Sequence, residues 1–249
     1  MTPTDETHLT DQRSYLSVLA AATATHDTGR DDDIALPKLP GFVESAFSPL
    51  AYEVGSRCLT ARSGDGDRTA VALASLMGDT TTADLASRRM VSGRVHNPLL
   101  FMQATANSVL GHMSREFGIT GQMLSLSTLD DPLTELLAMA DLLLEEPELD
   151  RVLVLAVELG GGERVAAVHR ELAADSGRPV PALPASAGLA AAVLLGRPDD
   201  GPAGAQGSIR PTQTARSAQQ LGSIQSLFEL ATAHAEPSTE TETHTHAHQ

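Results

Sequence analysis

The stretch HNPLLFMQATANSVLGHMSREFGITGQMLSLSTLD, residues 96–130, decides the fold of this chain. It begins as an extended segment around Pro98 and continues as a helix that ends at Gly118, since glycine is favoured just beyond a helix C-terminus. In QMLSLST, residues 122–128, leucines alternate with methionine and serine, which is typical of a strand with one buried face. The stretch therefore predicts a helix followed directly by a strand.

Start signals mark further helices on both sides of this stretch. Asp131 precedes Pro132, which places an N-cap residue before a residue favoured at the first helical position. Upstream, Ser48 before Pro49 gives a similar signal for a helix over residues 47–61, where apolar residues recur at helical spacing.

Helical and apolar segments alternate along the rest of the chain. The predicted helices cover residues 47–61, 80–90, 132–146, 165–173 and 215–233, and the predicted strands cover residues 14–24, 68–78, 122–128, 150–158 and 186–196. Because helices separate most of the strands, the pattern predicts parallel pairing in a layered α/β domain. The strands are nearly all apolar, so helices should cover both faces of the sheet.

The composition fits a globular protein and excludes two kinds of partner. Of the 249 residues, 41% are hydrophobic and 20% are charged, which is enough to bury a core. The formal net charge is −15, and nucleic acids and anionic membranes are bound mainly by Lys and Arg. Aromatic residues make up 3%, too few for base-stacking surfaces. Neither a nucleic acid nor a membrane is therefore expected as a partner.

Shifts in composition divide the chain into five parts. These are a polar leader (1–13), an α/β domain (14–196), a linker rich in Pro, Gly and Asp (197–214), a C-terminal helix (215–235) and a polar tail expected to be disordered (236–249). The leader lacks a signal-peptide pattern, and no uncharged apolar run reaches the roughly 18 residues of a membrane span. A cytoplasmic protein is expected.

Few residues have the pattern of a reactive or metal-binding site. Cys58 is the only cysteine, which excludes an internal disulfide and a multi-cysteine zinc site, and it is interpreted as a small buried hydrophobe. The glycines at 160–162 lack the spacing of a nucleotide-binding loop. The tail histidines His244, His246 and His248 could bind a divalent metal weakly, but a disordered tail is the simpler interpretation. Neither a metal nor another cofactor is expected.

Residues 96–130 resemble the central signature of the β-ketoacyl synthases of the thiolase superfamily. The signature residues are Asn97, Pro98, Phe101, Asn107, Gly111, His112, Phe117, Gly118, Gly121, Ser125 and Thr128. The resemblance continues through the later strands, where SAGLAAAVLLG keeps Gly188 of the family pattern. It implies a layered thiolase-like αβα half-fold with a five-stranded mixed sheet, corresponding to the N-terminal half of a ketosynthase. His112 is expected to make a structural hydrogen bond.

The same resemblance implies that the chain lacks ketosynthase chemistry. Active family members carry a nucleophilic cysteine two residues after the threonine matched by Thr128, and this chain has Asp130 there. A carboxylate is a poor substitute for a low-pKa sulfur that must attack a thioester and leave again. The family's two further catalytic residues, usually histidines, come from a second half, which is not matched here. No catalytic residue is therefore expected.

Inactive family members called chain-length factors pair with an active ketosynthase, and short forms resemble this chain. The resemblance implies a heterodimer in which one strand pairs with its counterpart across the interface. That strand comprises Gln122, Met123, Leu124, Ser125, Leu126, Ser127 and Thr128. An unpaired edge of this kind needs a partner to cover it.

A short apolar segment is the second candidate for this interface. Leu100 matches a family position that reaches into the partner's acyl channel, and Leu99, Phe101 and Met102 are its neighbours. Packing in the chain's own core is the alternative for these side chains. Family chain-length determinants also match residues 78–85. The acyl carrier protein, which is acidic, is expected to dock on the catalytic partner and thus to contact this chain only indirectly.

Two other functions stay open at this point. The chain could be a small stand-alone enzyme for acyl thioesters that uses Asp130 or Asp131 as acid or base, although Asp131 also fits a helix cap. It could instead be a homodimeric scaffold.

Overall fold

The computed structural model describes residues 16–93, 99–129, 131–176, 183–198, 208–209 and 222–235. The predicted leader, the tail, most of the linker, Pro98 and Asp130 lie outside these residues. Within them, no helix has the length and apolar character needed to cross a bilayer.

Strands and helices alternate much as the sequence predicts. The strands are β1 (Leu16–His26), β2 (Thr69–Ala74), β3 (Met123–Leu126), β4 (Arg151–Leu159), β5 (Gly188–Gly196) and β6 (Ser208–Ile209). The α-helices are α1 (Phe47–Ala61), α2 (Thr80–Val91), α3 (Leu99–Gln103), α4 (Ala106–Phe117), α5 (Pro132–Leu144), α6 (Glu163–Ser176) and α7 (Gln225–His234). Short 3-10 turns, Gly66–Arg68 and Gly222–Ile224, precede β2 and α7.

The strands form one mixed sheet in the order β3-β2-β4-β5-β1-β6. Five strands make the body of the sheet, as the resemblance predicts, and β6 adds two residues beside the start of β1. The prediction of parallel pairing from the pattern holds for β2 with β3 and with β4, but it is wrong for β5, which is antiparallel to both β4 and β1.

The direction of β5 follows from where its connection begins and ends. Gly160, just after β4, donates its N–H to the carbonyl of Ala187, just before β5, at 2.8 Å. The segment that contains α6 therefore leaves and re-enters the sheet at the same end. A parallel strand would need a connection that crosses to the opposite end.

Two apolar cores cover the two faces of the sheet. Along β4, the alternating side chains of Val152, Val154 and Ala156 face α5 and α7, and those of Leu153 and Leu155 face α1 and α4. Every residue of β4 and β5 is buried, which agrees with a sequence that is apolar apart from Arg151 and Glu158. The chain is thus a three-layer αβα domain.

Local signals place two helix ends correctly, but the single helix predicted between Pro98 and Gly118 is divided into α3 and α4. Gly118 ends α4 in the left-handed conformation (φ 64°), and Asp131 caps α5. The start signal at Ser48 is wrong, because the Ser48 N–H is itself bound by the Ser45 hydroxyl at 2.9 Å, inside the first turn of α1. The Ser48 hydroxyl is buried without a hydrogen-bond partner among the described residues.

Candidate functional site

The edge strand β3 presents half of its peptide groups away from the sheet. The N–H of Val71 binds the carbonyl of Gln122 at 2.9 Å, and the N–H of Ser75 binds the carbonyl of Leu126 at 3.1 Å. In a parallel ladder the alternate residues therefore face outward, so the N–H and C=O groups of Met123 and Ser125 lie on the outer edge. In the described part of the chain, no strand pairs with this edge.

The opposite edge of the sheet is protected by side chains and a loop. Arg62 donates to the carbonyl of Leu19 at 3.0 Å, and Arg57 donates to the carbonyl of Thr23 at 3.3 Å. The N–H of Ile34 binds the carbonyl of Thr25 at 2.7 Å. Covering an edge in this way prevents pairing with another chain. Within the described residues the two edges of the sheet therefore differ, since β1 is covered and no strand pairs with the outer edge of β3.

Four large apolar side chains of α3 and of the segment 123–129 are exposed. Phe101 is 41% exposed, Met102 62%, Met123 36% and Leu129 60%. Met123 and Leu129 belong to β3 and the turn after it, whereas Phe101 and Met102 belong to α3.

The structure separates the residues of the predicted channel segment. Leu100 is 3% exposed and turned into the chain, whereas Phe101 and Met102 are exposed. The side chain of Leu99 lies outside the described residues. Leu124 and Leu126 of β3 pack partly against the α5/α7 core, while Met123 and Ser125 are exposed.

The turn between β3 and α5 contains the position that the resemblance assigns to the nucleophile. Hydrogen bonds hold this turn on both sides of Asp130. The Ser127 hydroxyl donates to the carbonyl of Leu76 at 2.9 Å. The Asp131 carboxylate accepts the N–H of Leu133 at 3.4 Å and the hydroxyl of Thr134 at 3.2 Å. The Asp131 carboxylate is thus engaged in capping α5. Asp130 itself lies outside the described residues.

The signature glycines have different physical roles. A Cβ on Gly121 would lie 2.3 Å from the carbonyl oxygen of Thr69, so only glycine lets β3 begin beside β2. A Cβ on Gly111 would meet nothing within 4 Å. Gly118 supplies the left-handed residue that ends α4.

Two further signature residues, Asn107 and His112, lie on α4. His112 is 3.5 Å from a carboxylate oxygen of Glu116, and its ring makes edge contacts with the rings of Phe42 and Tyr52. The structural hydrogen bond expected for His112 stays a prediction. The side chain of Asn107 is exposed.

A buried carboxylate that the sequence did not single out lies beyond β2. Asp79 is 2% exposed; it accepts the Thr82 N–H at 3.0 Å as the cap of α2 and the Ser45 hydroxyl at 2.6 Å. Burial raises the pKa of Asp79 above its usual value, although these hydrogen bonds oppose the shift. Its place directly before the helix that begins at Thr80 is the sequence signal that could have identified it as a cap, but its burial depends on Ser45, 34 residues away.

Asp79→Asn is expected to weaken the pH dependence of stability. Because the pKa of Asp79 is raised in the folded chain, its protonated form favours folding. This contribution to stability is complete below the ordinary pKa of aspartate, about 3.8, and is lost as the pH rises through the raised pKa. Asparagine cannot ionise, so the variant should gain stability relative to wild type over that rise. Urea unfolding at several pH values from 4 to 8 measures this, and parallel pH profiles would contradict it.

Cys58 lies on α1, in the core between the sheet and helices α1 and α4, and is not available for covalent chemistry. It is fully buried, and its thiol lies 3.7 Å from the carbonyl of Ala192. Burial raises the pKa of the Cys58 thiol to about 12. The sequence-based interpretation as a buried hydrophobe agrees with this location.

Alkylation of Cys58 is expected to be at least about a hundredfold slower in the folded chain than in urea, since both the thiolate fraction and access are reduced. The loss of free thiol during iodoacetamide treatment at pH 8, with and without denaturant, measures the ratio. Similar rates in both conditions would show that α1 opens readily.

Within the described ranges, no group of three His, Cys, Asp or Glu side chains is placed to hold a metal ion.

Comparisons with known proteins place the chain by fold. No protein-family model matches the sequence, and no curated protein matches it. Among solved structures, the complex of the ketosynthase ApeO with its chain length factor ApeC from Xenorhabdus doucetiae matches with a TM-score of 0.52 and 18% identity, over 74% of this chain and 79% of that chain.

Two further structures agree with this match. The ishigamide ketosynthase/chain length factor matches with a TM-score of 0.56 and 14% identity, over 75% of this chain and 63% of that one. The AntDE:AntF complex, a type II polyketide synthase acyl-carrier protein with its ketosynthase, matches with a TM-score of 0.53 and 12% identity, over 75% and 64%. The chain thus spans less than two thirds of these two proteins.

These matches define the class of fold. The chain has the thiolase-like fold of ketosynthases and chain length factors, and the prediction from residues 96–130 is confirmed at this level.

Proposed function

We propose that this chain is a non-catalytic, chain-length-factor-like subunit that pairs with a β-ketoacyl synthase through strand β3. The observation that carries the proposal is the contrast between the two edges of the sheet. The edge of β1 is covered by Arg57 and Arg62, whereas no strand of the described residues pairs with the outer edge of β3, where Met123 is 36% exposed. An open apolar edge is a liability for an isolated chain and an advantage for one that has a partner.

The structural comparisons support the same partner. The complex of ApeO with ApeC and the ishigamide pair are assemblies of a ketosynthase with a chain length factor. The structural match covers 74% of this chain and 79% of the matched chain in the ApeO–ApeC complex, so the two chains have similar lengths. This chain is therefore comparable in size with a subunit of such a complex.

The chemistry of the chain supports a non-catalytic role. Asp130 occupies the position that the resemblance assigns to the nucleophile, and Cys58 is buried with a raised pKa. Asp131, the other candidate acid or base, holds the start of α5. The catalytic cysteine and histidines would then come from the partner, and the acyl carrier protein would dock there.

Phe101 and Met102 are the residues that would reach the partner's acyl channel. Their side chains are exposed on α3, whereas Leu100 is buried in its own chain. Their size would then limit how far a growing acyl chain can extend.

Phe101→Ala is expected to lengthen the products of the complex, and Phe101→Trp to shorten them, because the side chain would set the depth of the channel. Mass spectrometry of the acyl chains released from the carrier protein measures this. Val43→Ala, at an apolar position that is 89% exposed, is the control and should leave the length unchanged. Identical product distributions for both Phe101 variants would exclude Phe101 from the channel.

Co-expression with a β-ketoacyl synthase from the same genome tests the proposal as a whole. A stable complex with one copy of each chain, condensing activity only in the complex, and no acyl-thioester turnover by this chain alone are expected. Two proteins that elute separately in size-exclusion chromatography would contradict the proposal. A stable homodimer of this chain with no affinity for the ketosynthase would indicate the scaffold function instead.

A further inference from the structure

A second buried carboxylate lies at the carboxyl end of β4, outside the site described above. Glu158 is 3% exposed, and it has the same alternation as Val154 and Ala156, whose side chains belong to the α5/α7 core. Burying a carboxylate is costly unless hydrogen-bond donors satisfy its oxygens. The hydrogen-bond partners of Glu158 therefore indicate its structural role.

Two side chains from different elements bind the two carboxylate oxygens. Nε2 of His169, on α6, lies 3.0 Å from Oε1 of Glu158. The hydroxyl of Ser223, in the 3-10 turn before α7, donates to Oε2. The His169 side chain is 11% exposed, so this pair is largely shielded from water. Glu158 thus connects β4, α6 and the C-terminal segment.

The order of these three groups does not suit nucleophilic catalysis. In a catalytic triad the imidazole lies between the nucleophile and the carboxylate. In this cluster the carboxylate of Glu158 lies between Ser223 and His169, so the imidazole is not placed to take the proton from the hydroxyl. The arrangement instead fastens two peripheral elements to one strand.

The helix that follows Ser223 depends on its contacts with the sheet. α7 has 10 residues, and isolated helices of that length are marginal in water. It buries Leu227, Phe228 and Ala231 in the same core that contains residues of β1 and β5. The helical structure of α7 is therefore expected to depend on its docking against the sheet.

We propose that α7 is a strap that closes over β1 and β5, that Glu158 fastens it through Ser223, and that His169 couples its closure to α6. When the strap opens, the apolar face of β1 and β5 loses its cover. This inference rests on the contacts of Glu158 and is independent of the proposed pairing with a ketosynthase.

Hydrogen exchange of the full chain, followed by mass spectrometry, tests the strap. Ser223→Ala should speed exchange of the α7 amides roughly ten- to a hundredfold, the range for losing a hydrogen bond to a charged group. Exchange of the α1 amides should stay unchanged. Ser226→Ala, a neighbouring serine on α7 for which no contact with Glu158 is present, is the matched control and should leave α7 at the wild-type rate.

The coupling to α6 needs a second pair of variants. His169→Ala should also speed exchange in α7, although His169 lies on another helix. The effect should vanish when Glu158 is already replaced by leucine, because the carboxylate is the connection. Equal α7 exchange in Ser223→Ala and Ser226→Ala would overturn the fastening, and an unchanged α7 in His169→Ala would overturn the coupling.

Discussion

Ser125→Pro is expected to weaken association with the ketosynthase partner by roughly a hundredfold or more while leaving the fold of this chain intact. The N–H of Ser125 points away from β2, so proline removes no hydrogen bond of the sheet at that position, and edge strands tolerate proline with this orientation. Proline does remove the donor offered to a partner strand and places its ring at the contact. Co-purification and isothermal titration with the ketosynthase measure the loss.

Two matched variants make this result specific. Ser125→Val keeps the outward N–H and should bind nearly as well as wild type. Leu124→Pro removes an N–H that faces β2 and should destabilise the chain itself. If Ser125→Pro folds normally and still binds tightly, the partner does not pair with β3, and the proposed assembly is wrong.

The second large effect concerns Gly121, which precedes β3. Gly121→Ala is expected to lower the free energy of unfolding by about 3 kcal/mol, at the upper end for overpacking, because the new Cβ would meet backbone that cannot rotate away. The nearest atoms would be the oxygen and carbon of Thr69, at 2.3 and 2.9 Å. For a chain of this size, that loss corresponds to a fall in Tm of roughly 6–12 °C. Calorimetry and urea unfolding measure it.

Gly111→Ala is the control for this substitution. Gly111 is also a signature glycine, but a Cβ there meets nothing within 4 Å, and it lies in the interior of α4. Alanine should therefore leave stability unchanged or raise it by about 0.5–1 kcal/mol. If the two variants lose the same stability, the close approach of Gly121 to Thr69 does not explain the glycine.

Much of the architecture could be predicted from local sequence. The bounds of α1 follow from its spacing of apolar residues, the end of α4 from Gly118, and the start of α5 from Asp131 and Pro132. Each of these depends on residues within one or two helical turns, and hydrogen bonds over such distances are set by the residues themselves. The alternation of strands and helices predicted a parallel sheet. The mixed sheet was predicted only from the resemblance of residues 96–130 to the ketosynthase signature.

Part of the candidate site could also be predicted from sequence, but its orientation could not. The resemblance singled out the strand at 122–128 and the apolar segment beside it. Which of its residues turn inward depends on how α3 packs, so Leu100 became buried while Phe101 and Met102 stayed exposed. Nothing within a four-residue apolar run distinguishes these side chains, because all of them favour burial.

The sequence by itself therefore determined the helices, the strands, the signature glycines and the absence of a nucleophilic cysteine at position 130. Only the tertiary structure decided that β5 runs antiparallel, that Arg57 and Arg62 cover one edge of the sheet, and that Glu158 meets Ser223, 65 residues away. The physical reason is that local hydrogen bonds and periodicity are encoded within a few residues. Contacts between distant residues exist only once the topology has brought the strands and helices together.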